Sequence, residues 1–214
     1  MQNKNSAKEG DDAMTQIMTP SVTTSGQIDK AVANYRALLE KHASEFAAEA
    51  VQTVLGQSEL AGEQLSVFRR RVEAISNMIV RKVPVNRTRT PQEVIAATGR
   101  KQYVSDDVVA GMPKGEGEIA EVFFFKIGRF VSDVDLDKEY ELRGLKPADV
   151  YSQATVNEAD EAFADEHPNG THWKDSGGKW CFATFYLWRG DRYVGVGRDG
   201  RDWNDDWWFA GLRK

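Results

Sequence analysis

The sequence predicts an α+β fold in which a helical N-terminal part precedes a strand-rich C-terminal part. Apolar residues recur at helical spacing from Ile28 to Ile79, whereas all six tryptophans lie from Trp173 onward. The segment from Trp173 onward is also rich in glycine and aromatic residues, which is typical of short strands joined by tight turns. We therefore expect four segments: a disordered tail at 1–25, an antiparallel helical hairpin at 26–84, a linker at 85–92 and an α+β domain at 93–214.

Composition excludes several classes of protein. The chain has 214 residues, 41% of them hydrophobic and 29% charged, which is ordinary for a globular protein. A net charge of −5 argues against a general nucleic-acid binder. No apolar run is long enough to span a membrane, and the N-terminus lacks the apolar core of a signal peptide. We expect a cytoplasmic protein, or one carried to a virion or cell surface by another route.

The helical part carries two apolar stripes. The first runs from Ile28 through Tyr35 to Val54, and the second from Leu65 to Ile79 before Pro84. Each stripe forms an apolar face of its helix that must be buried against a partner. The hairpin is therefore predicted to form a homo-oligomer through these helices. His42 falls within the first stripe, where we interpret it as a packed or partly solvated seam residue.

Between the hairpin and the tryptophan-rich segment, local signals predict alternating elements. The linker at 85–92 lies in the stretch 83–92, which contains two prolines and overlaps a basic run from Arg81 to Arg89, and it is interpreted as a solvated hinge. Thr90, Pro91 and Glu93 form a helix start with a capping box. Three short elements follow: a buried strand at Glu121–Ile127, a strand at 133–137 in which three aspartates alternate with apolar residues, and an acidic helix at 147–164.

No motif for catalysis or metal binding is complete. The aspartates at 133–137 lack the glycine and glutamate of a calcium loop, and the triplet Trp203-Asn204-Asp205 lacks the second loop of a lectin calcium site. His167 and His172 are interpreted as turn and surface residues. Cys181, the single cysteine, is interpreted as a buried small hydrophobe. We expect no enzyme, no metal and no cofactor.

The C-terminal segment resembles a known fold. Gly177-Gly178-Lys179-Trp180 opens it and Gly211-Leu212-Arg213 closes it, with Arg192 and Arg198 between them. This frame is similar to that of the formylglycine-generating-enzyme type of C-type lectin fold, which ends in Gly-Phe-Arg instead. The resemblance implies short twisted antiparallel strands with two helices, presenting one exposed face.

A compositional bias narrows the resemblance. From Cys181 to Arg213 there is no Lys, Glu, Gln or Met, although Trp, Gly, Asp, Arg and Tyr are abundant. Asn codons randomised at their adenines give residues such as Tyr, Asp, Gly and Arg, but never Lys, Glu, Gln, Met or Trp. The chain thus resembles the variable protein of a diversity-generating retroelement. That resemblance implies a hypervariable ligand-binding protein with a variable region at about 181–210.

Within that region, residues obtainable from randomised codons were separated from fixed ones. The expected ligand-binding residues are Tyr186, Leu187, Arg189, Gly190, Tyr193, Gly195, Gly197, Asp199, Gly200, Arg201, Asn204, Asp205 and Asp206. The expected scaffold residues are Trp180, Trp188, Val194, Val196, Trp203, Trp207, Trp208 and Gly211. Val194 and Val196 should face the core, while Tyr193, Gly195 and Gly197 should face out.

Two other functions stay open at this point. One is a structural oligomer component, such as a fibre tip, with no repertoire. The other is an enzyme of the formylglycine-generating type, which the single cysteine disfavours because that chemistry needs a pair. The expected partner is a macromolecule, most simply a protein, and neither nucleic acid nor a membrane.

Overall fold

The computed structural model describes residues 23–198 and 202–214. The chain divides into two compact units, one within Met18–Ser76 and the other comprising Asn77–Lys214. Helices and strands are both abundant, so the predicted α+β class is confirmed. Most of the predicted tail, residues 1–22, lies outside the described part of the chain.

The first unit is helical. Helix α1 spans Ser25–Lys41, a 3-10 turn spans Ala43–Glu45, α2 spans Ala48–Leu55 and α3 spans Leu60–Ser76. Thr24 caps α1, with its side chain accepting from the Gln27 backbone N–H. The first helix was expected to be continuous as far as Val54, which is wrong. Phe46 and Ala47 adopt extended backbone conformations and separate α1 from α2.

The second predicted helix also ends earlier than expected. It stops at Ser76, and β1 (Ile79–Pro84) begins where the apolar stripe was read as helical. Ile79 stands opposite Phe124 of β3 (Ile119–Lys126) in an antiparallel pair. Strand pairing therefore overrides the helical period at Ile79, which is half-buried in the sheet instead of continuing the helical stripe. The expected boundary of the helical part near residue 84 is corrected to Ser76.

The second unit is built on one mixed sheet. Besides β1 and β3 it contains β2 (Lys101–Val104), β4 (Leu145–Pro147), β5 (Asn169–Lys174), β6 (Trp180–Trp188), β7 (Asp191–Gly197) and β8 (Trp208–Arg213). The strand order is β1-β3-β8-β5-β6-β7-β2, and β4 pairs with β8 beside this path. The β2–β7 and β5–β8 pairs are parallel, and the other pairs are antiparallel.

Helices cover the sheet unequally. Helices α4 (Pro91–Ala97), α5 (Asp106–Ala110), α7 (Val150–Ala159) and α8 (Phe163–Glu166) pack on one face with a large core around Phe124 and Phe185. Helix α6 (Asp133–Leu142) packs on the other face, over β3 and β8, where Phe125 lies 5.0 Å from Tyr140 between ring centroids. At the β6–β7–β2 end of that second face, Tyr103, Tyr186, Trp188 and Tyr193 belong to neither buried cluster.

The predicted linker is held in place by contacts with the rest of the second unit. Val85 is buried, and the Arg87 guanidinium pairs with the Asp149 carboxylate at 2.5 Å. Arg87 also donates to the carbonyls of Lys114, Glu116 and Gly117 and to the Ser152 hydroxyl at 2.9 Å. Because one guanidinium satisfies so many acceptors, this segment is fixed and the hinge interpretation is wrong.

Two further elements differ from expectation. Residues 133–137 begin helix α6 rather than forming a strand, since Ser132 caps the helix by accepting from the Asp135 N–H. Aspartates are favoured in a first helical turn, which explains their clustering. The acidic helix expected at 147–164 is divided between β4, α7 and α8. The capping box at Thr90 and Glu93 is confirmed.

Candidate functional site

The uncovered end of the sheet places five aromatic side chains together. In the β6–β7 pair Tyr186 stands opposite Tyr193, and β2 lies next to β7 with Tyr103 opposite Gly195. Since side chains alternate along a strand, these residues share the face that α4, α5, α7 and α8 leave open. We call this surface, formed by Tyr103, Tyr186, Trp188, Tyr193 and Trp207, the aromatic face.

Four of the five rings of the aromatic face form a row of contacting rings. Tyr186 stacks on Tyr193 with centroids 5.6 Å apart and an interplanar angle of 15°. Trp188 meets Tyr193 edge-on at 6.1 Å, and Trp207 meets Tyr186 edge-on at 5.9 Å. Tyr103 is 80% exposed and Trp188 is 53% exposed. The row is thus a rigid aromatic surface that stays open to a partner.

A cavity opens beside this row. Its volume is about 380 Å³, and its wall combines Tyr186, Phe182, Trp203 and Trp207 with the polar side chains of Asp202 and Asn204. A tyrosine phenol is a neutral hydrogen-bond donor at physiological pH, and burial raises the pKa of Tyr186 further. An apolar wall with a few polar groups is the usual chemistry of a recognition pocket.

Trp203 fixes the loop that forms one side of the cavity. Its indole Nε1–H donates to Asp133 Oδ1 at 2.9 Å, and its backbone exchanges two hydrogen bonds with Val131. Its ring lies directly over Gly170, where an added Cβ would come within 2.5 Å of it. The following residues turn back at Asn204, whose side chain accepts from the Asp206 N–H. The exposed tip thus rests on a buried anchor.

His172 contacts the same Asp133 carboxylate that binds the Trp203 indole. Its Nδ1 lies 2.7 Å from Asp133 Oδ1 and donates to it, since a carboxylate can only accept. The ring stacks on Trp180 at 4.6 Å, and Nε2 lies 3.1 Å from Asp137 Oδ1 without hydrogen-bonding geometry. The interpretation of His172 as a surface residue is wrong, because β5 directs it into the core. His167 is half-buried between Phe163 and Trp208.

The expected ligand-binding residues divide into three groups by exposure. Tyr186 and Tyr193 are half-buried, Gly195 and Gly197 are buried, and the exposed members are Leu187, Arg189, Gly190, Asn204, Asp205 and Asp206. Leu187 stands opposite Arg192, on the face of β6 away from Tyr186, so it does not join the aromatic face. Asp199, Gly200 and Arg201 lie outside the described residues.

Gly195 and Gly197 face away from the main core, but they are not exposed as expected. A Cβ on Gly195 would lie 2.8 Å from Thr184 Oγ1, and one on Gly197 would lie 3.3 Å from the Phe182 ring. Side chains of β6 therefore cover both glycines. The alternation along β7 was predicted correctly, but the cover provided by the neighbouring strand was not.

The β6–β7 turn limits two further expected positions. Arg189 and Gly190 both have positive φ angles, 53° and 84° respectively. Such a two-residue hairpin turn favours glycine or asparagine, because other residues are strained in the left-handed region. The Arg189 guanidinium lies 4.5 Å from the Trp188 ring centroid. Gly190 therefore serves the turn, and Arg189 borders the aromatic face.

The expected scaffold residues are mostly inside. Val194, Val196, Trp203 and Gly211 are buried, and Trp180, Trp207 and Trp208 are half-buried. Trp188 is the exception. It was expected to be a buried anchor, but it lies beside the hairpin turn at the end of β6, where its ring is covered on one side only by Tyr193 and Arg189. It therefore belongs to the aromatic face.

Two arginines fix the edges of the region. Arg192 bonds Asp165 and Glu161, and Arg198 bonds Asp107 at 2.5 Å and Asp175 at 2.7 Å. The hydrogen bond from Arg198 lowers the pKa of both of its partner carboxyls. These partners are remote in sequence, so each arginine joins β7 to a different helix or loop.

Sequence reasoning missed the contribution of β2. Tyr103 and Lys101 lie on the open face, with Lys101 Nζ 2.6 Å from the Asp191 carboxylate. The adjacent Tyr103 and Val104, an aromatic and a β-branched residue, were the available signal for a strand. Its parallel pairing with β7 could not be seen from sequence, because the partners are ninety residues apart.

Within residues 23–198 and 202–214, no group of three or more His, Cys, Asp or Glu residues is arranged to hold a metal ion. Cys181 is buried, and burial raises the pKa of its thiol. None of the helices described is long and apolar enough to cross a bilayer.

Comparison with known proteins adds no further assignment. No family model, curated protein or solved structure matches the chain significantly.

Proposed function

We propose that this protein recognises a macromolecular ligand through the aromatic face and the adjoining loop tip at Asn204–Asp206. The observation that carries the proposal is the continuous row of exposed and half-buried rings beside a polar loop. Tyrosine and tryptophan provide large contact area at small conformational cost, and Asn, Asp and Gly provide adaptable hydrogen bonding. Antibody combining sites use the same combination.

The shape of the site favours a macromolecule over a small metabolite. The aromatic face spans three strands, β6, β7 and β2, and continues into the loop after Trp203. The adjoining cavity of about 380 Å³ is small beside that surface, and it fits one side chain of a docked protein. A shallow aromatic surface with one anchoring pocket is therefore best suited to binding a protein.

We also propose that the surface is hypervariable, on a C-type-lectin-type scaffold diversified by a retroelement. The support is a separation of residue types that holds at two tyrosines, the loop tip and Trp203, although Trp188 is exposed and Gly195 and Gly197 are buried. Tyr186, Tyr193 and Asn204–Asp206 can arise from randomised Asn codons and lie at the surface, whereas Trp203 cannot arise in this way and is buried. A rigid frame with replaceable tips is what such diversification requires.

A selection experiment tests the binding proposal. One library randomises Tyr186, Tyr193, Asn204, Asp205 and Asp206 in the full chain, and the probe is a single folded protein such as lysozyme. A control library of equal size randomises five other exposed positions, namely Ile119, Glu121, Val134, Lys138 and Glu141. We expect binders of micromolar affinity or better, on the order of 10⁻⁶ M, from the first library alone. Equal yields from both libraries would contradict the proposal.

DNA sequencing tests the hypervariability separately. The region downstream of the gene should contain a near-copy of the DNA encoding Cys181–Arg213, with adenines at the mismatched positions. Absence of any such copy would remove the retroelement from the account. It would favour the alternative of a structural oligomer component if the library experiment also failed.

A further inference from the structure

The helical unit has no core of its own among the residues that the structure describes. No residue of α1, α2 or α3 is buried. Fourteen of its large apolar side chains are 38–64% exposed, among them Val32, Leu39, Leu65 and Val72. Ordering a chain of this length costs more free energy than such partial burial returns. A further surface must therefore cover these side chains.

The exposed apolar side chains follow a heptad pattern. In α1 they occur at Ile28, Val32, Tyr35 and Leu39, with spacings of four, three and four. In α3 they occur at Leu65, Phe68, Val72 and Ile75, with spacings of three, four and three. This 3–4 alternation is the pattern of helices that pack against other helices along a seam. The surface that covers them is therefore helical.

The uncovered area matches what a dimer needs. A large apolar side chain at about half exposure leaves roughly 50 Å² to be buried. The fourteen side chains together thus offer on the order of 700 Å² per copy, which is close to the roughly 800 Å² that each partner buries in a standard protein–protein interface. A stable dimer could form from this unit alone.

Charge favours a second copy as the occupant. The segment Ala43–Leu55 carries Glu45 and Glu49 and no basic residue, whereas α3 carries Arg69, Arg70 and Arg71 in succession. None of these three arginines pairs with a carboxylate in the described part of the chain. In a two-fold interface, the basic stretch of one copy would meet the acidic segment of the other twice. The surface is complementary to itself.

We infer that the unit from Ser25 to Ser76 is a dimerisation module, in which the seams of α1 and α3 pack against a second copy of this chain. Arg69–Arg71 of one copy face Glu45 and Glu49 of the other. A hydrogen bond of 2.7 Å from Gln64 Nε2 to the Tyr35 hydroxyl already joins α1 to α3 within one copy. This inference does not depend on the proposed ligand recognition. If both hold, two aromatic faces are displayed together and avidity rises.

Sedimentation equilibrium of the full chain over a range of concentrations tests the inference. The wild type is expected to have the mass of a dimer, and Val72→Asp is expected to have the mass of a monomer. Ser66→Asp lies on the same helix away from the seam and should remain dimeric. Tryptophan fluorescence reports on the second unit alone, since every tryptophan lies from Trp173 onward. Its melting curve should be the same for all three proteins.

A charge-reversal pair distinguishes contacts between copies from contacts within one copy. Glu49→Arg alone and the double variant Arg69→Glu/Arg71→Glu alone should each weaken dimerisation by about tenfold or more. An equimolar mixture of the two should restore it, because each reversed group then meets its complement across the interface. A monomeric wild type, a dimer that survives Val72→Asp, or a mixture that fails to restore association would overturn the inference.

Discussion

Alternate residues of the same two strands form the two faces of the β6–β7 hairpin, and the two faces have opposite properties. On one face Ala183, Phe185, Val194 and Val196 are at most 1% exposed beneath helices. On the other face Tyr186, Trp188 and Tyr193 remain accessible, and no helix in the core cluster covers them. Residues that stabilise the fold and residues available for recognition thus alternate along the same strands, and their side chains point to opposite faces of the sheet. Changes on the open face can be tolerated because the buried face holds the strands in place.

The largest expected difference in unfolding free energy is between substitutions at two adjacent residues, Phe185 and Tyr186. Phe185→Ala removes a fully buried ring and should lower the free energy of unfolding by about 3–5 kcal/mol. Tyr186→Ala removes a half-buried ring with two aromatic contacts and should cost about 1–2 kcal/mol. Urea denaturation followed by tryptophan fluorescence measures both. Equal costs would show that the two faces do not differ as described.

The anchor of the loop tip should be the next most sensitive position. Trp203→Phe removes the indole N–H that bonds Asp133 and should cost about 2 kcal/mol. The matched control is Trp188→Phe on the aromatic face, which should change the free energy of unfolding by less than about 0.5 kcal/mol. If the Trp188 variant were the more damaging of the two, the assignment of anchor and surface would be reversed.

A substitution at Gly195, which side chains of β6 cover, tests how closely the open face is packed at this position. Gly195→Ala should cost about 1–2 kcal/mol, because the new Cβ would lie 2.8 Å from Thr184 Oγ1. The same substitution should cost much less in a Thr184→Ala background, which has no Oγ1. A double-mutant cycle of unfolding free energies measures the difference. Strictly additive costs would show that Thr184 is not what restricts this position.

The smallest expected effect is a dependence on pH. Burial lowers the pKa of His167 from its ordinary value of 6.5. The unfolded chain therefore binds a proton more readily than the folded one in the range just below that value. Stability should fall as pH falls through this range and should level off below the folded pKa. His167→Gln should reduce the slope of melting temperature against pH, and an unchanged slope would assign it to other groups.

Sequence reasoning succeeded where local physics decides and failed where distant partners decide. The capping box at Thr90 and the strand around Phe123 depend on neighbouring residues, and both were predicted. Arg87 was read as part of a solvated linker, because its acceptors at 114–117 and 149–152 are far away in the chain. Ile79 was read as helical, since its pairing with Phe124 is equally distant.

The same distinction applies to the candidate site. Tyr186, Tyr193 and the tip at Asn204–Asp206 were identified from composition, and they lie at the surface. The exposure of Gly195 and of Trp188 was predicted wrongly, because exposure depends on what the neighbouring strand and turn place above a residue. Tyr103 was missed altogether, since only the parallel β2–β7 pairing brings it next to the others.

The most direct test of the account is a substitution scan of positions 180–198 and 202–213, with protease resistance of the displayed protein as the measure of folding. Separation by face predicts tolerance at Tyr186, Tyr193, Asn204, Asp205 and Asp206. It also predicts loss of resistance for most substitutions at the buried residues Ala183, Phe185, Val194, Val196, Trp203 and Phe209. Similar tolerance in the two sets, or greater sensitivity on the open face, would contradict a fixed scaffold carrying a replaceable recognition surface.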